Sequence, residues 1–381
     1  MPVELMSAID EANATGTRFE ESYMSTKATA ARIYEYGEPD VFRFETMDVP
    51  DPVAHEVKIA DSLFGTMEKV SFRRDNLTLA GHLFKPADFD DTKVYPTLIV
   101  HAAVTMVKEQ APDNYARLLV LHDFVVLTFD YASYGESEGS PRNNENVQGK
   151  LKDLKAGVSY LQTLPFVGEI GVFGACTSGG NAAYLAADDD RIAAMAAVVP
   201  WMYEPALAEP IWGKEVIAGN DAKAREARER FAKTGEYLST QIFTNTPDIE
   251  GFMLGAAEYF FDKTRGISVR NWKNEVFWGA WDDWAHVYDP ISQAPKIRIP
   301  VLVFSTDGAL IPEQAKKFYD RVKSEKQLVW GTGYHFNFYD VFPEMMQAVD
   351  AVVPFMRKHL APQTVSRTSR NRARTVVAAT K

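Results

Sequence analysis

The chain contains 381 residues, of which 46% are hydrophobic and 24% are charged, as in an ordinary globular protein of one large or two small domains. Its formal net charge of -11 argues against nucleic-acid binding, which needs a basic surface. The N-terminus lacks a basic region followed by an apolar core, and the most apolar stretch, residues 192–202, is too short to cross a bilayer. We therefore expect a cytoplasmic protein in a reducing compartment, without a nucleic-acid or membrane partner.

Residues 1–60 are interpreted as an N-terminal accessory segment. The run TKATAARIYEYGEPDVFRFETMDVPDPVAHEVKIA, residues 26–60, resembles the opening strands of medium-chain quinone reductases and alcohol dehydrogenases. Nothing that follows supplies the catalytic half of that family, so we expect a β-hairpin here without dehydrogenase chemistry.

From Met67 onward, strand and helix patterns alternate, which predicts a mostly parallel α/β sheet covered by helices. Apolar runs such as PTLIVHA, residues 96–102, are typical of strands buried on both faces. A turn at Asp75-Asn76 joins two strands of alternating polarity into a hairpin. The other predicted strands are residues 124–130, 170–173, 192–200, 299–305 and 326–331, and the predicted helices are residues 108–122, 145–163, 312–323 and 342–360, with an alanine-rich helix after Gly180. The predicted core is thus residues 61–200 and 298–361.

Residues 201–297 interrupt this alternation and are predicted to form a helical cap over the site. The first part contains a highly charged helix that suits a solvated face. The second part is rich in aromatic residues, most of which we expect to join the cap to the core. Four of them are candidates for substrate binding: Trp278, Trp281, Trp284 and Tyr288. The basic tail, residues 362–381, is expected to be disordered.

The segment Glu169 to Asp188 carries the most specific signal. An apolar strand leads into Gly174-Ala175-Cys176-Thr177-Ser178-Gly179-Gly180, and an alanine-rich helix follows. Strand, tight glycine turn and helix are the setting of a nucleophile elbow, here with cysteine at the centre. Cys176 is the only cysteine in the chain, which makes it a candidate nucleophile. The alternative is a small buried hydrophobic side chain in a strand-to-helix turn.

A thiol nucleophile needs a base and a group that orients the base. His335 lies in the loop between the last strand and the last helix, and Asp307 follows the preceding strand. Their chain order, Cys176, Asp307, His335, is nucleophile, acid, histidine, as in α/β-hydrolases. Asp340 is the reserve candidate for the acid. A loop histidine with an ordinary structural role and a solvated turn aspartate are the alternatives.

The oxyanion hole is expected to consist of backbone N–H groups. Thr177 follows the nucleophile at the N-terminus of the predicted helix, and Ala102 or Ala103 follows the strand that ends at His101. The same helix N-terminus is expected to lower the pKa of the Cys176 thiol.

The chain from about Val70 to Leu360 resembles the Xaa-Pro-peptidase-like (S15-like) α/β-hydrolases, which include the fungal polyketide transferases. The resemblance rests on VSFRRDNLTLAGHLFKP, VKEQ at residues 107–110, FDYASYGESEGSPR, GACTSGG and HFNFYD. Dienelactone hydrolases, which are related in fold, also place a cysteine at the elbow. The resemblance implies an α/β-hydrolase fold and acyl transfer without a cofactor or metal.

The sequence therefore predicts an esterase, thioesterase or acyltransferase. It would act through an acyl-cysteine on an apolar, polyketide-like small molecule. A nicotinamide-dependent oxidoreductase is a less favoured alternative because no G-x-G-x-x-G opens a βαβ unit. A hydrolase fold that has lost catalysis and binds a ligand under its cap is the alternative of another class. A homodimer is an open alternative for the assembly.

Overall fold

The computed structural model describes residues 65–245, 251–254 and 258–361, and the backbone of residues 27–33 and 42–48. The chain divides into two compact units, residues 1–59 and 60–381. In the first unit, strands β1 (Lys27–Ile33) and β2 (Phe42–Asp48) pair antiparallel, as expected of a hairpin. The rest of the predicted accessory segment and the predicted basic tail lie outside the described residues.

The second unit is built on an eight-stranded sheet with the strand order β13-β12-β8-β7-β5-β6-β4-β3. Strands β3 and β4 are antiparallel to their neighbours, whereas the other six strands of this sheet, β5, β6, β7, β8, β12 and β13, run parallel to one another. The mostly parallel sheet predicted from the sequence is thereby confirmed. The strands of this unit are β3 (Thr66–Arg74), β4 (Leu77–Lys85), β5 (Tyr95–His101), β6 (Val125–Phe129), β7 (Val167–Ala175), β8 (Ile192–Val198), β9 (Ser239–Thr244), β10 (Gly251–Leu254), β11 (Val276–Phe277), β12 (Val301–Gly308) and β13 (Lys326–Tyr334).

Helices flank the sheet and alternate with its strands along the chain. The helices are α1 (Ala111–Val120), α2 (Val147–Leu161), α3 (Thr177–Asp188), α4 (Ala208–Trp212), α5 (Lys214–Thr234), α6 (Glu258–Phe261), α7 (Pro312–Arg321) and α8 (Phe342–Leu360). The predicted core strands and helices are all present, with ends shifted by a few residues. In the part of the chain that the structure describes, no helix combines the length and the hydropathy needed to cross a bilayer.

A hydrophobic core covers each face of the sheet, and successive side chains of a strand point to opposite faces. Val100 and Phe173 belong to one hydrophobic core, while Ile99 and Val172 belong to the other. All four side chains are buried, which explains why these strands are apolar at every position instead of alternating. The two covered faces leave the carboxyl ends of the parallel strands as the place for a site.

The inserted segment differs in part from the prediction of a helical cap. It contains α4, α5 and α6, but also a small mixed sheet with the order β10-β9-β11. These three strands are short, and their sequences carry no alternation long enough to predict them. Helix α5 is the predicted charged helix, with only Asn220, Ala224 and Ala227 buried.

His101 makes the stability of the fold depend on pH. It is buried at the end of β5, where its ring stacks on Tyr131 and meets the edge of Phe129. Burial, with a smaller effect of the Lys150 charge, lowers the pKa of His101 to about 3. The native state therefore keeps this ring neutral, whereas the unfolded chain takes up a proton below its ordinary pKa of about 6.5. Stability from this source is present above pH 6.5 and falls as the pH drops towards 3.

Replacement of His101 by phenylalanine is expected to remove this proton uptake while keeping a ring between Phe129 and Tyr131. Between pH 8 and pH 5 the wild-type protein should lose about 2 kcal/mol more unfolding free energy than His101→Phe. Urea denaturation of both proteins at the two pH values measures the difference. Equal losses in the two proteins would show that His101 does not titrate on unfolding.

Candidate active site

Cys176 stands on the sharp turn between β7 and α3. Its backbone has φ 51° and ψ -124°, a left-handed φ that side chains other than glycine rarely adopt. The turn is held on both sides, because Cys176 N–H donates to Val198 O over 3.1 Å and Trp201 N–H donates to Cys176 O over 2.8 Å. A strained residue fixed at the end of a central strand is the backbone geometry of a nucleophile elbow.

Gly174 and Gly180 must be glycines because other atoms lie where a Cβ atom would stand. A Cβ on Gly174 would lie 2.0 Å from Ser178 O, so the turn could not close with a larger residue. A Cβ on Gly180 would lie 1.9 Å from Tyr288 Oη. That hydroxyl donates to Thr177 O over 2.6 Å, which fixes the first turn of α3 to the inserted segment.

The Cys176 thiol is buried among hydrogen-bonding groups. Its Sγ lies 3.7 Å from Thr177 Oγ1. The backbone N–H groups of Thr177 and Val104 and the Tyr339 hydroxyl are close enough to lower the pKa of the thiol. Burial nevertheless has the largest effect and raises this pKa, although these polar groups act in the opposite direction. The expectation that the helix N-terminus makes this a low-pKa thiol is therefore wrong, because desolvation outweighs it.

The raised pKa predicts a slow thiol at neutral pH. Only the thiolate reacts with iodoacetamide, so alkylation of Cys176 should accelerate steeply above the pH range of an ordinary thiol, whose pKa is about 8.5. Rates measured by intact mass between pH 6 and pH 10, beside free cysteine, give the titration curve. A midpoint below that of free cysteine would contradict the dominance of burial.

The loop after β5 brings Val104, a residue that the sequence pattern did not indicate, to the sulfur. Thr105, at φ 59°, donates its N–H to Glu145 Oε1 over 2.9 Å. Glu145 is itself buried and paired with Lys150, 2.5 Å away. This anchor fixes the loop that carries Val104, which lines the cavity at Cys176. The candidates Ala102 and Ala103 lie just before it; both are buried, and Ala102 O accepts from Ser178 N–H over 3.2 Å.

His335 begins a short 3-10 segment, His335–Tyr339, directly after β13 and is fully buried. Its Nε2 lies 2.9 Å from Tyr339 Oη, and its Nδ1 accepts from Leu310 N–H over 3.4 Å. Burial lowers the pKa of His335 to about 3. In this arrangement the tyrosine hydroxyl, and not the thiol, is the hydrogen-bond partner of Nε2.

The two candidate acids are bonded elsewhere. Asp307 is exposed at the end of β12, where Oδ1 accepts from Trp330 Nε1 over 2.9 Å. Asp340 forms an ion pair with Arg265, whose Nε lies 2.8 Å from Asp340 Oδ2. The structure thus places Cys176 beside Thr177 and joins His335 to Tyr339. Among the described residues, neither Asp307 nor Asp340 forms a hydrogen bond with His335.

A small apolar cavity of about 10 Å³, room for one water-sized group, lies against Cys176. Among the described residues that line it, Thr177 and Tyr339 are the other side chains with a hydroxyl group. A space of this size is smaller than an acyl chain. The apolar lining residues are Val104, Trp201, Phe243, Met253, Trp284, Leu310 and Phe336.

Of the four predicted substrate-binding residues, Trp284 lies at this cavity. Tyr288 lines a neighbouring polar cavity with Glu145, Lys150 and Asn181, which Trp284 also borders. Trp281 is fully buried and donates Nε1–H to Asp221 Oδ1 over 2.8 Å. Trp278 packs on Phe252. Trp278 and Trp281 therefore make these contacts within the inserted segment, whereas most of the aromatic residues were expected to join the cap to the core.

Within the described residues, His82, Glu109 and Glu136 form a group that could hold a metal ion, with ligand atoms within 4.8 Å of one another. However, Lys108 Nζ already lies 2.7 Å from Glu109 Oε1 and 2.6 Å from Glu136 Oε2. The lysine ammonium therefore supplies the positive charge that these carboxylates need.

Comparisons with known proteins agree with the fold. No family model matches the chain. The Escherichia coli K12 protein YcjY is 36% identical over 135 residues, 34% of this chain and 44% of YcjY, so the match spans less than half of that relative. The polyketide transferase grgF of a Penicillium species is 26% identical over 296 residues, 75% of this chain and 94% of the relative.

The thiohydrolase aneE of Aspergillus aculeatus is 31% identical over 139 residues, 36% of this chain and 41% of the relative. The crystal structure of GrgF from Penicillium, an α/β-hydrolase, superposes with a TM-score of 0.64 at 22% identity, covering 78% of this chain and all of that one. The chain therefore has the α/β-hydrolase fold.

Proposed function

We propose that the protein is a hydrolase or acyltransferase that acts on an ester or thioester through an acyl-cysteine at Cys176. The observation that carries this proposal is the thiol itself. It stands on a strained elbow at the end of β7, and Val104 and Thr177 line the cavity beside it. Backbone N–H groups next to a nucleophile can donate to the oxyanion that forms when the nucleophile attacks a carbonyl.

The proposed reaction has two steps. His335 takes up the Cys176 thiol proton as the sulfur attacks the carbonyl carbon, and the resulting oxyanion accepts from the N–H groups of Val104 and Thr177. The same proton then passes from His335 to the leaving alcohol or thiol as its bond to carbon breaks. Water or an acceptor hydroxyl then attacks the thioester, with His335 as the base. Attack by water completes a hydrolysis, and attack by an acceptor hydroxyl completes an acyl transfer.

The proposed acyl group is apolar and polyketide-like. The cavity at Cys176 is lined mainly by aromatic and aliphatic side chains from both the core and the inserted segment. Two relatives are named a polyketide transferase and a thiohydrolase. Both names fit the transfer of a fatty or polyketide acyl group from a thioester.

Asp307 remains the proposed orienting acid. To orient His335, the Asp307 carboxylate would have to leave Trp330 and replace the Leu310 N–H at His335 Nδ1. Leu310 follows shortly after β12, the strand that carries Asp307. Asp307→Asn is then expected to lower turnover by about 100-fold or more, because a neutral amide does not stabilise the imidazolium. Turnover measured beside Asp340→Asn tests the choice. Wild-type turnover in Asp307→Asn would remove Asp307 from the mechanism.

The proposed function is tested by intact mass after mixing the protein with a short-chain acyl thioester and with a p-nitrophenyl ester. We expect an acyl adduct, or turnover, that is lost in Cys176→Ala. Equal behaviour of the wild-type protein and Cys176→Ala would reject the acyl-cysteine and favour a ligand-binding protein. The small cavity and the neutral, buried thiol and imidazole are the observations that favour this second function.

A further inference from the structure

The position of His335 raises a question about how it acts on the thiol. His335 is fully buried, and it is not among the described residues that line the cavity at Cys176. Tyr339, one helical turn later, lines that cavity together with Cys176. The tyrosine therefore lies where the histidine of a nucleophile–base pair would be expected.

The Tyr339 hydroxyl has contacts on both sides. Its Oη lies 2.9 Å from His335 Nε2, and on the other side Tyr339 lines the same small cavity as the Cys176 thiol, close enough to influence the pKa of that thiol. Its ring is held by edge-on contacts with Tyr259 and Phe336, and its carbonyl oxygen accepts from Asn114 Nδ2 over 3.0 Å. A buried side chain with this many fixed contacts keeps one orientation, with its hydroxyl between sulfur and imidazole.

We propose that the Tyr339 hydroxyl is the proton relay between Cys176 and His335, so that the histidine acts on the thiol through the tyrosine. This inference rests on the acyl-cysteine function proposed above. In acylation, the Sγ–H proton passes to Oη while the Oη–H proton passes to Nε2. The sulfur forms its bond to the carbonyl carbon, and the tyrosine ends the step neutral.

The return of the proton follows the same atoms. The Nε2 proton passes to Oη, and the Oη proton passes to the departing alkoxide or thiolate when its bond to carbon breaks. The relay requires a free lone pair on Nε2, hence a proton on Nδ1. The Leu310 N–H must then leave Nδ1, and their separation of 3.4 Å is already long for a hydrogen bond.

The burial of the Cys176 thiol and of the His335 imidazole explains why a neutral relay between them is needed. Burial raises the pKa of the Cys176 thiol and lowers that of His335, so a resting thiolate–imidazolium pair is disfavoured. A neutral hydroxyl that accepts and donates in one step allows the proton to move only as the sulfur attacks. Tyr339 itself does not ionise, since burial raises its pKa well above the ordinary value for tyrosine.

Tyr339→Phe is the central variant, and Tyr115→Phe is its matched control. The Tyr115 hydroxyl is also buried, and it donates over 2.7 Å to Phe338 O in the same 3-10 segment. Removing it costs a comparable buried hydrogen bond without touching the sulfur. Single-turnover release of p-nitrophenol gives the acylation rate for these two variants, for His335→Ala and for the double variant Tyr339→Phe/His335→Ala.

The relay predicts that Tyr339→Phe and His335→Ala each slow acylation by about 100-fold. The double variant should be no more than about threefold slower than either single variant, because residues acting as one unit are not additive. Tyr115→Phe should stay within about threefold of wild type. A wild-type rate in Tyr339→Phe, or losses that multiply in the double variant, would overturn the relay.

A second readout needs no acyl substrate. Tyr339→Phe should move the pH midpoint of iodoacetamide alkylation at Cys176 upward, because the thiolate loses a hydrogen-bond donor, whereas Tyr115→Phe should not. An unchanged midpoint in Tyr339→Phe would show that the hydroxyl does not act on the sulfur. A shifted midpoint in a protein that forms no acyl adduct would support the contact and reject the proposed function alone.

Discussion

His335→Ala is expected to lower turnover of a p-nitrophenyl ester by between about 100-fold and 10,000-fold. The loss should fall on kcat, with KM little changed, because His335 lies behind Tyr339 and does not line the cavity at the sulfur. Steady-state kinetics at pH 8 give both constants. Added imidazole should restore part of the rate, since the cavity left by the ring can accept a free base.

His286→Ala is the matched control for this substitution. His286 is a half-exposed histidine of the inserted segment that pairs with Asp221 over 2.8 Å. Its loss should change turnover by no more than about twofold, because exposed contacts of this kind contribute little to stability and His286 does not line the cavity at Cys176. Equal losses in the two variants would attribute the effect to folding, and full turnover in His335→Ala would exclude His335 as the base.

The sequence was most informative where a local pattern is sufficient to determine the structure. The buried strands β5 and β7 are apolar at every position, and small residues surround Cys176 because Gly174 approaches Ser178 O closely. Such features depend on neighbours within one strand, turn or helix. The sheet and the turn that carries Cys176 could therefore be predicted from the residues alone.

The remaining features of the site depend on contacts between distant segments. Val104 reaches the sulfur because Glu145, forty positions along the chain, holds Thr105 N–H. Tyr339 separates His335 from Cys176 through the fold of a short 3-10 segment, whose letters HFNFYD do not show which side chain points to the elbow. The pKa of Cys176 was expected to fall from the helix N-terminus alone, whereas its burial is a property of the whole core.

Lys108 is expected to be the most important charged side chain for stability among those near the site. Its ammonium is 1% exposed and lies 2.8 Å from Asp130 Oδ2, which is fully buried. Burial alone would lower the pKa of Lys108, but Asp130 and the hydrogen bonds to Glu109 and Glu136 outweigh it and raise this pKa. The ammonium is thus charged in the core and compensates the Asp130 carboxylate.

Lys108→Met removes that charge and leaves Asp130 buried without its cation, which is expected to cost between about 3 and 5 kcal/mol of unfolding free energy. Turnover should fall as well, because Asp130 without its cation is no longer held in place. Its Oδ1 accepts from the backbone N–H of Lys108 over 2.8 Å, and this bond holds the loop that carries Val104.

Lys69→Met is the control. Lys69 also faces Glu136, at 3.8 Å, but it is mostly exposed, and surface pairs contribute about 1 kcal/mol at most. Urea denaturation of both variants at pH 7 gives the two costs. Similar small losses in both would mean that water, and not Lys108, compensates Asp130.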